Sequence, residues 1–310
     1  MMVLNDFSEA VEEIGREIEK ELTSSDERVV VAIAGTSASG KSYFANMLKN
    51  YLKEKAIESF YINADNFYKK TTPFYVEFYE SFDHKDTIDL EELKEVVKKV
   101  KNKEIKTISL PVYSFEKATR VGYEQHDLGN ADVVIVEGIY VLNVLHDIAH
   151  FPIYVASTSP IKEVMRRFIR DTEGERLKLD PAYVLKLLVG AYLMFDLFGK
   201  EQVTKCRYLV KNNYDVLENT NLKEWSSVKV LNLDEFSQQL KESGWWYFYE
   251  DEDGVEFIIH EEINNKIRIF LKSQKGVLCY EFDSGKEFML LHLLAKIIGL
   301  KLYKRKETSH

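Results

Sequence analysis

The sequence predicts an α/β fold, a doubly wound parallel sheet followed by a smaller antiparallel β plus helix module, on three observations. Short β-branched runs alternate with amphipathic helical patterns through residues 28 to 231, as expected for strands covered by helices on both faces. A glycine-rich segment, GTSASGKS at 35 to 42, sits at the junction of the first such strand and helix. From Trp245 the texture changes to alternating runs, WWYFYE, VEFIIH, KIRIFL and VLCYEF, separated by the turn formers DEDG, NNK and SQKG.

Taken in order, Phe7, Val11, Ile14, Ile18 and Leu22 recur at spacings of three and four, so residues 6 to 22 read as an amphipathic helix. The run RVVVAIA, 28 to 34, is apolar on both faces and reads as a buried parallel strand. A helix over 41 to 55, a strand over 59 to 63 and a helix over 90 to 101 follow. Strands are expected at 107 to 110, 132 to 137 and 152 to 155, with helices over 161 to 171 and 181 to 198. Strands near 208 to 210 and 228 to 231 close the first unit. Four antiparallel strands and a final helix over 286 to 298 make the second. The expected division is an N-terminal helix, 1 to 27, a main domain, 28 to 240, and a C-terminal module, 241 to 310.

The segment Gly35 to Ser42 matches GxxxxGK[ST] in the strand-loop-helix setting that the motif requires. Glycines let backbone N–H groups converge on anionic oxygens at the positive end of a helix. Gly35, Thr36, Ser37, Ala38, Ser39, Gly40, Lys41, Ser42 and Tyr43 are therefore the expected nucleotide-binding residues, for ATP. Lys41 brings a point charge to the β and γ phosphates, and the Ser42 hydroxyl can ligate Mg²⁺.

Phosphoryl transfer to a hydroxyl needs a proton acceptor at the end of a neighbouring strand, and Asp65, after FYINA, has that position. By itself such an Asp is equally a helix cap. Glu137, at the end of DVVIVEG, can organise the Mg²⁺ shell or serve as an ordinary strand-end carboxylate. Arg166, Arg167 and Arg170 lie on one helix before the acidic loop TEGERLKLD. Arg167 and Arg170 share a face that can clamp a transferring phosphate or simply be solvated.

These pieces in this order resemble the uridine-cytidine kinase branch of the family that also contains phosphoribulokinase. The marks are GTSASGKS, DNFY at 65 to 68, SFDHKDTIDL at 81 to 90, LPVYSFEKATR at 110 to 120, DVVIVEGI at 132 to 139 and RRFIRD at 166 to 171. The resemblance covers about residues 28 to 235 and implies ATP-dependent phosphorylation of a pyrimidine nucleoside at its 5′-hydroxyl. It implies that Asp65 is the catalytic base, that Tyr68 and Asp83 approach the ribose, that Tyr113 and Phe115 frame the base, and that Arg167 and Arg170 belong to a lid. Ala118 stands where the family pattern PVYxFxxHxR carries His, so a kinase for a sugar phosphate or another small polyol remains the alternative. A nucleotide-responsive regulatory protein is a second alternative, although a switch needs no acceptor-side base.

Composition bounds the partners. Acidic residues outnumber basic ones by 51 to 42, a net charge of −9, which opposes nucleic acid and anionic membranes as partners. A small-molecule hydroxyl acceptor is the expected partner. Cys206 and Cys279 have no metal-site spacing and fit a reducing compartment. The N-terminus, MMVLNDFSEAVEEIGREIEKEL, lacks an export pattern, and no stretch is expected to span a membrane, so a cytoplasmic location is expected. One face of the run Trp245 to Tyr249 is core, and the other is expected to pack on the main domain or a second subunit, giving a possible homo-oligomer. Lys301, Lys304, Arg305 and Lys306 read as a solvated end.

Overall fold

The computed structural model describes residues 1–69, 74–76, 79–174, 178–218, 228–241, 245–261, 266–283 and 286–306. Part of the loop TEGERLKLD, 175 to 177, and the asparagines of the expected NNK turn lie outside the described residues. The chain forms two compact units: Met1–Pro73, Phe82–Ala156 and Met194–Asn212 make the first, and Phe74–Ser81, Ser157–Leu193 and Asn213–His310 the second.

The first unit is built on a six-stranded sheet in the order Met2–Leu4, Tyr208–Asn212, Phe151–Ser157, Val29–Ala34, Val133–Gly138, Ser59–Asn63. Val29–Ala34 pairs in parallel with both neighbours, and every one of its residues is buried. Because side chains alternate along a strand, its two faces feed two cores. Val30, Ala32 and Ala34 face a core shared with Leu93, Val97 and Leu142, whereas Val29, Val31 and Ile33 face one shared with Ile14, Ile18, Phe44 and Leu48. The helices Phe7–Leu22 and Lys41–Glu54 supply the second core. The first of them starts at an Asp6 cap that accepts from the Ser8 and Glu9 amides.

At the strand entry Arg28 is 1% exposed, and its guanidinium donates to the carbonyls of Ala131, Val100, Asn102 and Ile105. It ties together the carbonyl ends of a helix and two loops. Arg28→Ala is expected to destabilise this unit by about 3 kcal/mol, read as a drop in urea unfolding free energy, because buried carbonyls lose their donors.

Two expectations for this unit need correction. The strand expected at 107 to 110 runs Thr107–Ser114 and pairs with Thr119–Asp127 in a separate two-stranded hairpin, not in the parallel sheet. Most of Thr119–Asp127 is exposed, so it lacks the two covered faces that a central parallel strand requires. The edge strand Met2–Leu4 was not anticipated. At three residues it is too short to show a period and is defined by its parallel partner, Tyr208–Val210.

The second unit carries an antiparallel six-stranded sheet in the order Lys229–Leu231, Gly276–Asp283, Lys266–Ser273, Glu256–Glu261, Trp245–Glu250, Lys301–Lys306. The expected meander is its centre, but the sheet has two further strands. The strand expected to close the first unit pairs Lys229 with Cys279, and the expected solvated tail pairs with Trp245–Glu250, Lys301 lying opposite Glu250. Both are edge strands whose pairing is long-range, and lysines suit an edge because they discourage further strand addition.

The expected boundary near 240 and the two compact units do not coincide. Helices Pro160–Thr172 and Pro181–Phe198 place Val164, Phe168, Val184 and Leu188 in one core with Phe257, Ile259, Ile269, Leu271 and Leu291. Burial of these apolar faces joins 157 to 193 to the C-terminal sheet. Pro181–Phe198 is also long and apolar enough, by length and composition, to cross a bilayer, contrary to expectation. Val184, Leu185, Leu188 and Val189 are nonetheless buried in this core, which accounts for its apolarity. Both cysteines are buried thiols outside any disulfide.

Candidate active site

The phosphate loop joins strand Val29–Ala34 to helix Lys41–Glu54. Gly40 caps that helix at φ 103°, and a Cβ there would lie 2.5 Å from Asn212 Nδ2, so only glycine fits on both counts. Asn212 Nδ2 donates to the Ser39 carbonyl at 2.7 Å and ties the loop to the end of strand Tyr208–Asn212. Lys41 is 8% exposed, and its Nζ donates to the Thr36 carbonyl at 3.0 Å, so the ammonium lies across its own loop. The Ser39 hydroxyl is fully buried and has no hydrogen-bond partner among the described residues. A lysine, an orphaned hydroxyl and a glycine-capped helix N-terminus are a donor set suited to a polyphosphate.

Ser42 Oγ donates to Glu137 Oε1 at 2.9 Å, and the Tyr61 hydroxyl donates to the same oxygen at 2.8 Å. Glu137 is 3% exposed at the end of its strand, in register with Asn63 of the next. A Cβ at Gly138 would lie 2.5 Å from the Ala64 Cβ, so the glycine lets the loop carrying Asp65 close against the strand that carries Glu137. Asp65 belongs to a short 3₁₀ turn, Ala64–Phe67, whose cap is Asn63, accepting the Asp65 amide at 2.8 Å. Its carboxylate is not the cap of that turn.

Tyr68 is buried and donates to Asp83 Oδ1 at 3.2 Å. Burial, and then the nearby carboxylates of Asp83 and Asp65, push its phenol well above the ordinary tyrosine range, so it stays a hydrogen-bond donor. Tyr140, raised by burial and Asp83, donates to the Asp83 carbonyl at 2.6 Å and holds that residue from behind. The Tyr113 ring lies 5.3 Å from that of Tyr68 and 5.2 Å from that of Phe115, giving a continuous aromatic wall. Arg120 fixes the hairpin behind this wall, donating to Glu92 and to the Phe67 carbonyl at 2.8 and 3.1 Å.

The structure thus brings Lys41, Ser42 and Glu137 together, and Tyr68, Asp83, Tyr113 and Phe115 together. Arg167 and Arg170 belong to the second unit, where both bond Asp171, through Arg167 Nε at 3.3 Å and Arg170 Nε at 2.6 Å. Arg166 instead donates to Ser157 and to the Tyr214 carbonyl. Asn212, Tyr61 and Tyr140 were missed by sequence reasoning. Each is an unremarkable strand or strand-end residue whose partner is distant along the chain, so no local pattern could have found it.

A doubly wound parallel sheet with this loop at the carboxyl end of a central strand defines a P-loop nucleotide-binding protein. Residues 30–176 match the phosphoribulokinase / uridine kinase family. Uridine kinase from Psychromonas ingrahamii is 34% identical over 155 residues, covering 48% of this chain and 71% of that protein. Uridine kinase from Borrelia hermsii is 32% identical over 152 residues, covering 48% and 68%. In fold alone, the solved structure of the YGR205w protein superposes with a TM-score of 0.50 at 15% identity, over 67% of this chain and 94% of that one. The chain belongs to the phosphoribulokinase / uridine kinase family. It is a small-molecule kinase, with ATP as a substrate and a hydroxyl as the acceptor.

Proposed function

We propose that this kinase transfers the γ-phosphoryl group of ATP to the 5′-hydroxyl of uridine or cytidine. The observation that carries this reading is the Tyr68–Asp83 pair beside the Tyr113–Phe115 wall, in the loop system that holds Asp65. A carboxylate only accepts, so Asp83 suits a vicinal diol, while flat aromatic faces suit a base. Relatives named uridine kinase support the same assignment.

In this reading Asp65 takes the proton of the acceptor hydroxyl, and Lys41 holds the β and γ phosphates. Ser42 and Glu137 would hold Mg²⁺, which takes few protein oxygens and keeps several waters, so a two-residue site suits it. When bound, the ion neutralises charge on the phosphoryl oxygens. Arg167 and Arg170 serve the lid, and Asp171 orients both guanidinium groups. Glu137→Gln should raise the Mg²⁺ concentration needed for half-maximal rate by about tenfold. An unchanged Mg²⁺ dependence would remove Glu137 from the metal site.

A kinase for a sugar phosphate or other polyol is the second reading, favoured by Ala118. It occupies a left-handed turn position, φ 47°, and offers a methyl where the family pattern has a donor. ADP release with uridine, cytidine, ribulose 5-phosphate and simple polyols, products identified by mass, separates the two. Conversion of uridine or cytidine supports the first; their inertness alongside phosphorylation of another hydroxyl supports the second. For a diol-bearing acceptor, Asp83→Ala is expected to raise KM about 30-fold with a smaller change in kcat, because two charge-assisted hydrogen bonds are lost.

A further inference from the structure

The order of strands sets the direction in which the donor must lie. From Val29–Ala34, strands Val133–Gly138 and Ser59–Asn63 run to one side, carrying Glu137 and leading to Asp65. Phe151–Ser157, Tyr208–Asn212 and Met2–Leu4 run to the other. On the kinase reading above, the γ phosphate must face Asp65, so the nucleoside end of the donor leaves the loop on the opposite side. Two aromatic residues are waiting there. Phe7 opens the helix that follows edge strand Met2–Leu4, and its Cζ is 3.2 Å from where a Gly40 Cβ would be. Tyr43 directly follows the loop's Lys41–Ser42 pair in the first turn of its helix, where backbone N–H groups have no partner within the helix.

Their rings are nearly parallel, at 26°, with centroids 6.1 Å apart. Phe7 is held edge-on by Phe44 at 5.2 Å and packs on the core. Tyr43 has the Phe7 ring on one side and is 66% exposed. A large aromatic side chain left in water at the rim of a phosphate loop, backed by a ring fixed in the core, is a stacking surface for a flat heterocycle. We propose that Phe7 and Tyr43 form the platform for the base of the nucleoside triphosphate donor, with Tyr43 making the contact and Phe7 setting its orientation. The N-terminal helix, which precedes the matched residues 30–176, thereby becomes part of the donor site.

The test compares equilibrium binding, with Mg²⁺, of a non-hydrolysable ATP analogue and inorganic tripolyphosphate to the full chain. No acceptor is involved, so the outcome does not depend on which hydroxyl is phosphorylated. Tyr43→Ala is expected to weaken the analogue by 10-fold or more, roughly one stacked base, and to leave tripolyphosphate affinity unchanged. Tyr43→Phe should retain the wild-type value, since the ring and not the hydroxyl makes the contact. Unchanged analogue affinity in Tyr43→Ala, or equal weakening of both ligands, would overturn the platform while leaving the phosphate loop assigned. A wild-type protein that bound neither ligand would overturn the donor site itself, and the platform with it.

Discussion

Asp65→Asn is expected to lower kcat by about 10³-fold while leaving ATP binding intact. The substitution keeps the size and shape of the side chain and the Asn63 cap, whose acceptor is the residue 65 amide and not its side chain. On the proposed mechanism, what it removes is the capacity to take a proton from the acceptor hydroxyl. Acceptor-dependent ADP release, set beside equilibrium ATP binding on the same preparation, measures the two effects separately. If Asp65→Asn turned over at the wild-type rate, another group would have to be the base.

Lys41→Ala is the second large effect, a loss of about 10³-fold in kcat with weaker ATP binding as well. Lys41 is the buried cation of the candidate phosphate loop. Its hydrogen bond to Thr36 spans the loop, so the charge is positioned before the donor arrives. Lys41→Arg should not rescue the rate, because a planar guanidinium does not fit a buried site shaped for a compact ammonium. Far-UV circular dichroism on the same variants separates a lost charge from a lost fold. Full activity in Lys41→Arg would show that only net charge matters here.

The local parts of the fold were legible because their signals are local. Val29–Ala34 could be recognised from an unbroken apolar run, and Phe7–Leu22 and Lys41–Glu54 from apolar residues at helical spacing. The phosphate loop was legible because its glycines, lysine and serine are adjacent in sequence. The pairing of strands was not. Lys229–Leu231 belongs to the C-terminal sheet and Thr107–Ser114 to a separate hairpin, and a strand carries no mark of its partner. Lys301–Lys306 reads as a solvated tail until Trp245–Glu250 is placed beside it.

The candidate site divides along the same line. Chain adjacency alone singled out Gly35 to Tyr43 as the candidate nucleotide loop, and position after a strand singled out Asp65 and Glu137. Only the tertiary structure decided that Ser42 and Tyr61 converge on one oxygen of Glu137, that Asn212 pins the Ser39 carbonyl, and that Tyr140 supports Asp83. Each of these contacts crosses between segments far apart in sequence, where periodicity and propensity carry no information. The sequence by itself therefore determined the class of chemistry, through contiguous motifs that bind phosphate by backbone geometry. The sheet order decided that the strands of Glu137 and Asn63 lie on one side of the loop's strand and the edge strand before Phe7 on the other, because direction across a sheet exists only once its strands are paired.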